Sequence, residues 1–127
     1  MTNEPINKKY DLEERTAKFG EDTIKFLRIL PRDAIILPLI TQLVRCATSV
    51  GANYCEADDA ESGTDFRHKV GICKKEAREC KHFLRMLATA LPERKEELRK
   101  LWLEANELNL ILNTIYKKVG DKKKYTN

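Results

Sequence analysis

"FRHKVGICKKEARECKHFLRMLATAL", residues 66–91, places apolar or small side chains at Phe66, Val70, Cys73, Ala77, Cys80, Leu84, Leu87 and Leu91. The steps between them alternate between four and three without a break, which is the period of one face of an α-helix. A strand would change face at every second residue instead. The run contains no proline, so the spacing predicts one long helix over about residues 65–90. Thr64 or Asp65 is expected to cap it, and Pro92 closes it.

The same spacing extends to both sides. Downstream, Leu98, Leu101, Ala105, Leu108, Leu112, Ile115 and Val119 form a stripe that predicts a helix over 92–119, with Pro92 in its first turn and Gly120 as its stop. Residues 120–127 are then expected to be a basic, mobile tail. Upstream, Ile40, Leu43, Ala47, Val50 and Tyr54 predict a helix over 37–57, widened by Leu37, Val44, Gly51 and Cys55. It is the most apolar of the set and so should be the most buried. The first helix, about 11–30, has Asp11 as its cap, Glu13 and Glu14 in its first turn, and Leu12, Thr16, Phe19, Thr23, Phe26 and Leu30 inward. No segment alternates as a strand. The expected fold is therefore all-α, an antiparallel up-down-up-down four-helix bundle, with residues 1–127 forming a single domain.

Composition fits that reading. The chain has 127 residues, 42% hydrophobic and 35% charged, a mixture suited to a helical bundle. Aromatics at 7% argue against a base-stacking sheet. No apolar run is long enough to span a membrane, and "MTNEPINKKYDLEE" has no apolar core of a secretory signal. The expected location is the cytoplasm, of a bacterium, with the cysteines as reduced thiols.

Catalytic and metal chemistry find little support. Cys73 and Cys80 are seven helical residues apart, a rise of about 10.5 Å, too far for one disulfide or one tetrahedral ion. Both fall on the inward stripe, where a thiol acts as a small hydrophobe, although cross-helix cysteine pairs stay open. Glu79 and His82 form a Glu-x-x-His step, the ligand unit of di-iron bundles, but no second such unit accompanies it. Gly-rich phosphate loops and Ser-His-Asp sets are absent. The expectation is no enzyme, no catalytic residue, no metal, no cofactor and no small-molecule substrate.

Two lines of polar residues call for another explanation. On the second helix Gln42, Arg45, Ser49, Asn53 and Glu56 follow one another three and four apart down an apolar segment. Glu76 and Glu79 on the third helix interrupt an otherwise apolar line and are suited to pair with Arg45. In that reading the seven form a structural network. Breaking a half-buried pair would cost about 3–5 kcal/mol, and Asn53 would fix the register of neighbouring helices. A ligand pocket lined by the same residues is the competing account. The second line is basic: Arg67, Lys74, Arg78, Lys81 and Arg85, flanked by Lys75 and His82, with Lys122, Lys123 and Lys124 beyond. Most such runs are solvated helix faces. Repeated around an assembly, this one would suit RNA or DNA phosphates without sequence preference, on a chain of net charge +4.

The string Gln42, Arg45, Ser49-Val50-Gly51-Ala52-Asn53, Glu56-Ala57 resembles the signature of the bacterial four-helix bundle proteins called 23S rRNA-intervening sequence proteins. Lys75-Glu76-Ala77-Arg78-Glu79 and Glu104-Ala105-Asn106-Glu107-Leu108 resemble matching pieces of the family's third and fourth helices. The resemblance spans about residues 10–119 and implies a small up-down bundle that assembles into ring-like homo-oligomers, pentamers among them, with no established enzymatic activity. One departure is that Ala57, Asp58, Asp59, Ala60 and Glu61 make an acidic loop where the family has a Gly and a basic one. Apolar groups beside the inner stripes also suggest assembly: Phe83 and Met86, Trp102 and Tyr116, Ile24 and Leu27. The expected function is that of a non-enzymatic, self-assembling module that binds nucleic acid through the third helix. The alternatives are a protein-interaction scaffold, or a metal-binding bundle enzyme using Glu79 and His82.

Overall fold

Helix starts in this chain are set by short polar side chains that take otherwise orphaned backbone N–H groups. Asp11 Oδ1 accepts from the Glu14 amide at 3.1 Å. Ser62 Oγ accepts from the Asp65 amide at 3.1 Å. Asp33 Oδ1 accepts from the Ile35 and Ile36 amides at 2.9 and 2.7 Å. The computed structural model describes residues 11–125, with side chains through Gly120. It contains α1 (Leu12–Arg28), α2 (Ile36–Asp58), α3 (Gly63–Ala90) and α4 (Lys95–Tyr125), with one 3₁₀ turn, Pro92–Arg94, between the last two. The fold is all-α, and no strand occurs among the described residues.

Several boundaries differ from the sequence expectation for physical reasons. The cap of α3 is Ser62, ahead of Thr64 and Asp65, because its extended backbone turns the hydroxyl onto the Asp65 amide. Pro92 closes α3 but opens the 3₁₀ turn, so α4 begins only at Lys95. Gly120 does not end α4, which continues to Tyr125. Glycine inside a helix costs about 1 kcal/mol against alanine, which weakens a helix without stopping it. Here the missing Cβ has a use: built at Gly120 it would lie 2.9 Å from Arg67 Nη2. The side chains of Lys122, Lys123 and Lys124, and residues 126 and 127, lie outside the described residues.

The core is the meeting of the four stripes. Phe19, Leu43, Leu84, Leu87, Leu98, Leu108 and Leu112 are its largest fully buried side chains. The α3 stripe is buried along its length, from Val70 to Leu91, with Phe66 partly covered at its start. Thr16 and Thr23 are buried on α1 and place their hydroxyls on their own helix, on Leu12 O at 2.7 Å and Phe19 O at 2.8 Å. That back-bonding satisfies the oxygen and leaves the methyl for packing. Helix α3 is the centre of the packing: it meets α2 and α4 extensively, α1 rests mainly on α2, and the α1–α4 seam is thin.

Helix α2 buries the stripe read from its sequence at Ile40, Leu43, Ala47 and Val50, but that stripe widens on the opposite flank from the one expected. Cys46 and Ala57 are fully buried, while Leu37, at 48% exposure, and Cys55 face outward. Leu27, expected beside the core, lies within it. The exposed large apolar groups are Ile24, Ile29, Ile35, Leu37, Leu103 and Leu110.

Truncation should separate core from surface on one helix. Leu108→Ala is expected to lower stability in urea unfolding by about 2–5 kcal/mol. Leu103→Ala, at a site 51% exposed, is expected to change it by no more than about 0.5 kcal/mol.

Candidate nucleic-acid interface

The basic residues of α3 sit at spacings that return to one helix face, and that face runs along the seam with α4. They fall into two sets. Arg67, Lys74 and Lys81 are half-buried with their stems across the seam, whereas Lys75, Arg78 and Arg85 are exposed. Long cationic side chains cover apolar surface in this way while keeping the charged end toward water.

Each half-buried cation is held by groups on α4. Arg67 Nε donates to Tyr116 O at 3.2 Å, and its guanidinium carbon stands 3.6 Å from the Tyr116 ring centre. Lys74 Nζ donates to Asn113 Oδ1 at 3.2 Å and lies 4.4 Å from the same ring centre. Lys81 Nζ donates to Asn106 Oδ1 at 2.9 Å and lies 5.1 Å from the Trp102 ring centre. Asn109 Nδ2 donates to Lys74 O at 2.8 Å and ties an α4 side chain to the α3 backbone. Cation–ring contacts of this kind contribute about 0.5–1 kcal/mol at exposed sites.

Between the helices lies an open cleft of about 470 Å³, lined by Lys74, Lys75, Arg78, Lys81, Asn109 and Asn113. None of the six stripe cations pairs with a carboxylate among the described residues. Elsewhere the chain does form ion pairs: Arg15 with Glu104, Lys69 with Glu56, and Arg45 with Glu76 and Glu79. In the sequence Trp102 and Tyr116 read only as apolar surface for assembly and Asn106 only as part of the family resemblance, and none of the α4 residues was read as a partner of the stripe. Their signal was present, since Trp102, Asn106, Asn109, Asn113 and Tyr116 step by four and three along one line beside the α4 core stripe.

The polar line of α2 divides in the structure. Arg45 reaches α3, with Nη2 2.6 Å from Glu79 Oε2 and Nη1 3.3 Å from Glu76 Oε2. The Glu76 charge, followed by burial and then the Glu79 hydrogen bond, sets the balance that holds the Arg45 guanidinium above its usual pKa. Arg45 is 47% exposed, so the arginine end of the pair is open to water while Glu76 opposite it is largely covered. Glu56 meets Lys69 at 2.8 Å. Asn53 does not bridge helices: its Nδ2 donates to Ser49 O, one turn back on α2, at 2.9 Å. Gln42 is exposed and Ser49 partly so.

The Glu79 carboxylate of the Glu-x-x-His step therefore lies against Arg45, while His82 is exposed beside Phe83, with ring centres 5.3 Å apart. Among the described residues no group of three or more His, Cys, Asp or Glu side chains could hold a metal ion. Across the α2–α3 interface, buried Cys46 and Cys80 meet with their sulfurs 3.3 Å apart. The hydrogen bond to Cys46 and burial both push the Cys80 thiol far up, and burial pushes Cys73 up to about 12. Thiols held protonated in this way are inert nucleophiles. No helix is long and apolar enough to cross a membrane among the described residues.

The family model for the 23S rRNA-intervening sequence protein matches residues 8–114, most of α1 through α4. The chain belongs to the 23S rRNA-intervening sequence protein family. A solved structure similar to this family member is a protein of unknown function from the S23 ribosomal protein family of Bacteroides thetaiotaomicron VPI-5482. It is 27% identical, the match covers 83% of this chain and 97% of that one, and the TM-score is 0.74. The comparison with curated proteins gives no match. All the stripe residues, and Asn106, Asn109 and Asn113 opposite them, lie within the segment matched to the 23S rRNA-intervening sequence protein family.

Two outcomes follow for side chains outside the stripe. Arg45→Gln should reduce stability in urea unfolding by about 1 kcal/mol or less, as for other surface ion pairs. A loss of 3 kcal/mol or more would mean that the pair is shielded from water. Titration of the native chain with Ellman's reagent at pH 8 should label exposed Cys55 and spare Cys46, Cys73 and Cys80, with all four reacting after denaturation.

Proposed function

We propose that this member of the 23S rRNA-intervening sequence protein family is a non-enzymatic, self-assembling bundle that binds RNA or DNA through the basic stripe of α3. The observation that carries the reading is the state of the stripe's charge. Six cations lie on or beside one seam without carboxylate partners among the described residues, and three of them are held in place by side-chain amides, a backbone carbonyl and rings. A charge fixed in position but not neutralised favours an external anion. Phosphate backbone is the anion whose repeating spacing suits a row of this length, about 27 Å from Arg67 to Arg85. Binding through backbone contacts carries no sequence preference.

The proposal includes an up-down-up-down antiparallel arrangement as a single domain. Its support is the order of contacts between successive helices: Arg45 meets Glu76 and Glu79 while Glu56 meets Lys69. Likewise Lys81 meets Asn106 while Lys74 meets Asn113. In both cases residue numbers fall on one helix as they rise on the next. The proposal also includes assembly into a ring of five in the bacterial cytoplasm, the state the family resemblance implies. Exposed Ile24, Leu103 and Leu110 are apolar surface that such contacts would cover. A second reading, a protein-binding scaffold without nucleic acid, is favoured by Ile29, Ile35 and Leu37, grouped at the α1–α2 turn.

Fluorescence anisotropy with labelled RNA and DNA oligomers tests the first reading. The wild-type chain should bind with affinity falling as salt rises, on a log–log slope of about −3 to −5. Replacing Arg67, Lys74, Arg78, Lys81 and Arg85 by Gln should abolish binding and leave the mass measured by light scattering unchanged. Binding that survives the five substitutions would refute the stripe as the interface.

A further inference from the structure

Net charge alone does not account for how Lys74 and Lys81 are held. Each directs its ammonium at an asparagine oxygen on α4, Asn113 Oδ1 at 3.2 Å and Asn106 Oδ1 at 2.9 Å. Aspartate has the same shape and would form an ion pair at either position. That is what the chain does with Lys69 and Glu56, or with Arg15 and Glu104. At both seam positions it carries the amide instead. An amide oxygen orients a lysine and leaves its positive charge uncancelled, and because the oxygen is the acceptor, both Nδ2 donors of each amide stay available. Asn109 Nδ2, bonded to Lys74 O, fixes the seam between them.

The cleft beside these residues therefore offers cationic groups from α3, Lys74, Arg78 and Lys81, together with amide donors from α4. The cations also stand over ring faces, Arg67 and Lys74 on Tyr116 and Lys81 on Trp102. A face covered by a cation is closed to a stacking base, so on the side of the cations the rings do not offer the platform that single-strand binders use. What remains is recognition of the phosphate groups themselves.

We infer that the α3–α4 cleft is a phosphate-binding subsite for a linear chain of phosphates, in which Asn106 and Asn113 keep Lys81 and Lys74 aimed and charged. The inference rests on the proposed function and narrows its ligand to phosphate groups without bases, a chemistry shared by nucleic-acid backbones and inorganic polyphosphate.

The test compares the double variant Asn106→Asp with Asn113→Asp against a control pair, Thr41→Asp with Gln42→Glu, two exposed sites on α2. Both double variants change net charge by the same amount, and in the first each new carboxylate neutralises its lysine in place. In anisotropy assays on the full chain, oligo-uridine and oligo-adenine should bind within about threefold of each other, and inorganic polyphosphate should displace both. The asparagine variant should bind at least about tenfold more weakly, with a salt slope flatter by about 1.4 to 1.8. The control pair should change affinity by less than about threefold.

Equal losses in the two variants, full binding by the asparagine variant, or equally good competition by polyglutamate would each overturn the subsite. Side-chain amide NMR signals of Asn106 and Asn113 in the wild-type chain give a readout that needs no variant to fold. They should shift on adding polyphosphate, and unmoved signals also overturn the inference. Binding of polyphosphate without nucleic acid would keep the subsite and remove the nucleic-acid function. Nucleic-acid binding indifferent to the asparagines would do the reverse.

Discussion

Burial of α3 between α2 and α4 is the constraint on which the rest of the molecule depends. Its inward face is made of Val70, Cys73, Ala77, Cys80, Leu84 and Leu87, all buried. Small side chains dominate the middle of that layer, with Ala77 and Cys80 joined by Cys46 and Ala47 from α2 and Ala105 from α4. Small groups let helix axes approach closely, and close approach leaves narrow strips at the two edges of the central helix. One strip faces α2 and carries Glu76 and Glu79. The other faces α4 and carries Arg67, Lys74 and Lys81. The chemistry of each edge is therefore decided by what the neighbouring helix sets opposite it.

The two edges receive opposite treatment. Along α2 the acids of α3 meet Arg45, which offsets one of their two negative charges. Along α4 the bases of α3 meet neutral amides, a carbonyl oxygen and ring faces, and nothing cancels them among the described residues. An ion pair between half-exposed groups contributes little to stability, so the first arrangement matters chiefly for how helices are paired. The second lends the bundle side-chain packing through the lysine and arginine stems while keeping a concentrated positive field at the surface. A structural role and an anion-binding role are compatible in the same residues here, because stem and head do different things.

The four core stripes were legible in the sequence because their period belongs to the helix itself, and Val70 through Leu91 or Leu98 through Leu112 need no neighbour to reveal it. The pairing of Arg45 with Glu76 and Glu79 could be anticipated because a cation and two acids each interrupted an apolar line. Other features depend on tertiary placement and were not legible. Cys46 turns inward and Cys55 outward because α3 covers that flank of α2, and periodicity fixes a stripe's centre better than which of its flanks a neighbour covers. Asn53, which sequence reasoning assigned to a neighbouring helix, bonds its own, since a short amide reaches the carbonyl one turn back more easily than a partner across the interface. Gly120 read as a terminator, yet it sits inside α4 where the Arg67 guanidinium passes. The role of the three asparagines of α4 was not legible because a neutral amide acquires meaning only from the lysine facing it.

The thin seam between α1 and α4 has a consequence for how the molecule breathes. A two-pronged grip of Arg15 on Glu104, at 2.8 and 2.9 Å, is the polar tie across it, and both partners are partly open to water. Regions with few buried contacts open locally at lower free energy than the rest of a structure. Helix α1 sets Leu12, Phe19 and Leu27 into the interior chiefly through α2, so it is the helix with the fewest neighbours to hold it, whereas α2, α3 and α4 share the denser interior. Amide hydrogens of α1 are therefore expected to exchange ahead of those of the other three helices, through an opening that leaves the cationic seam intact.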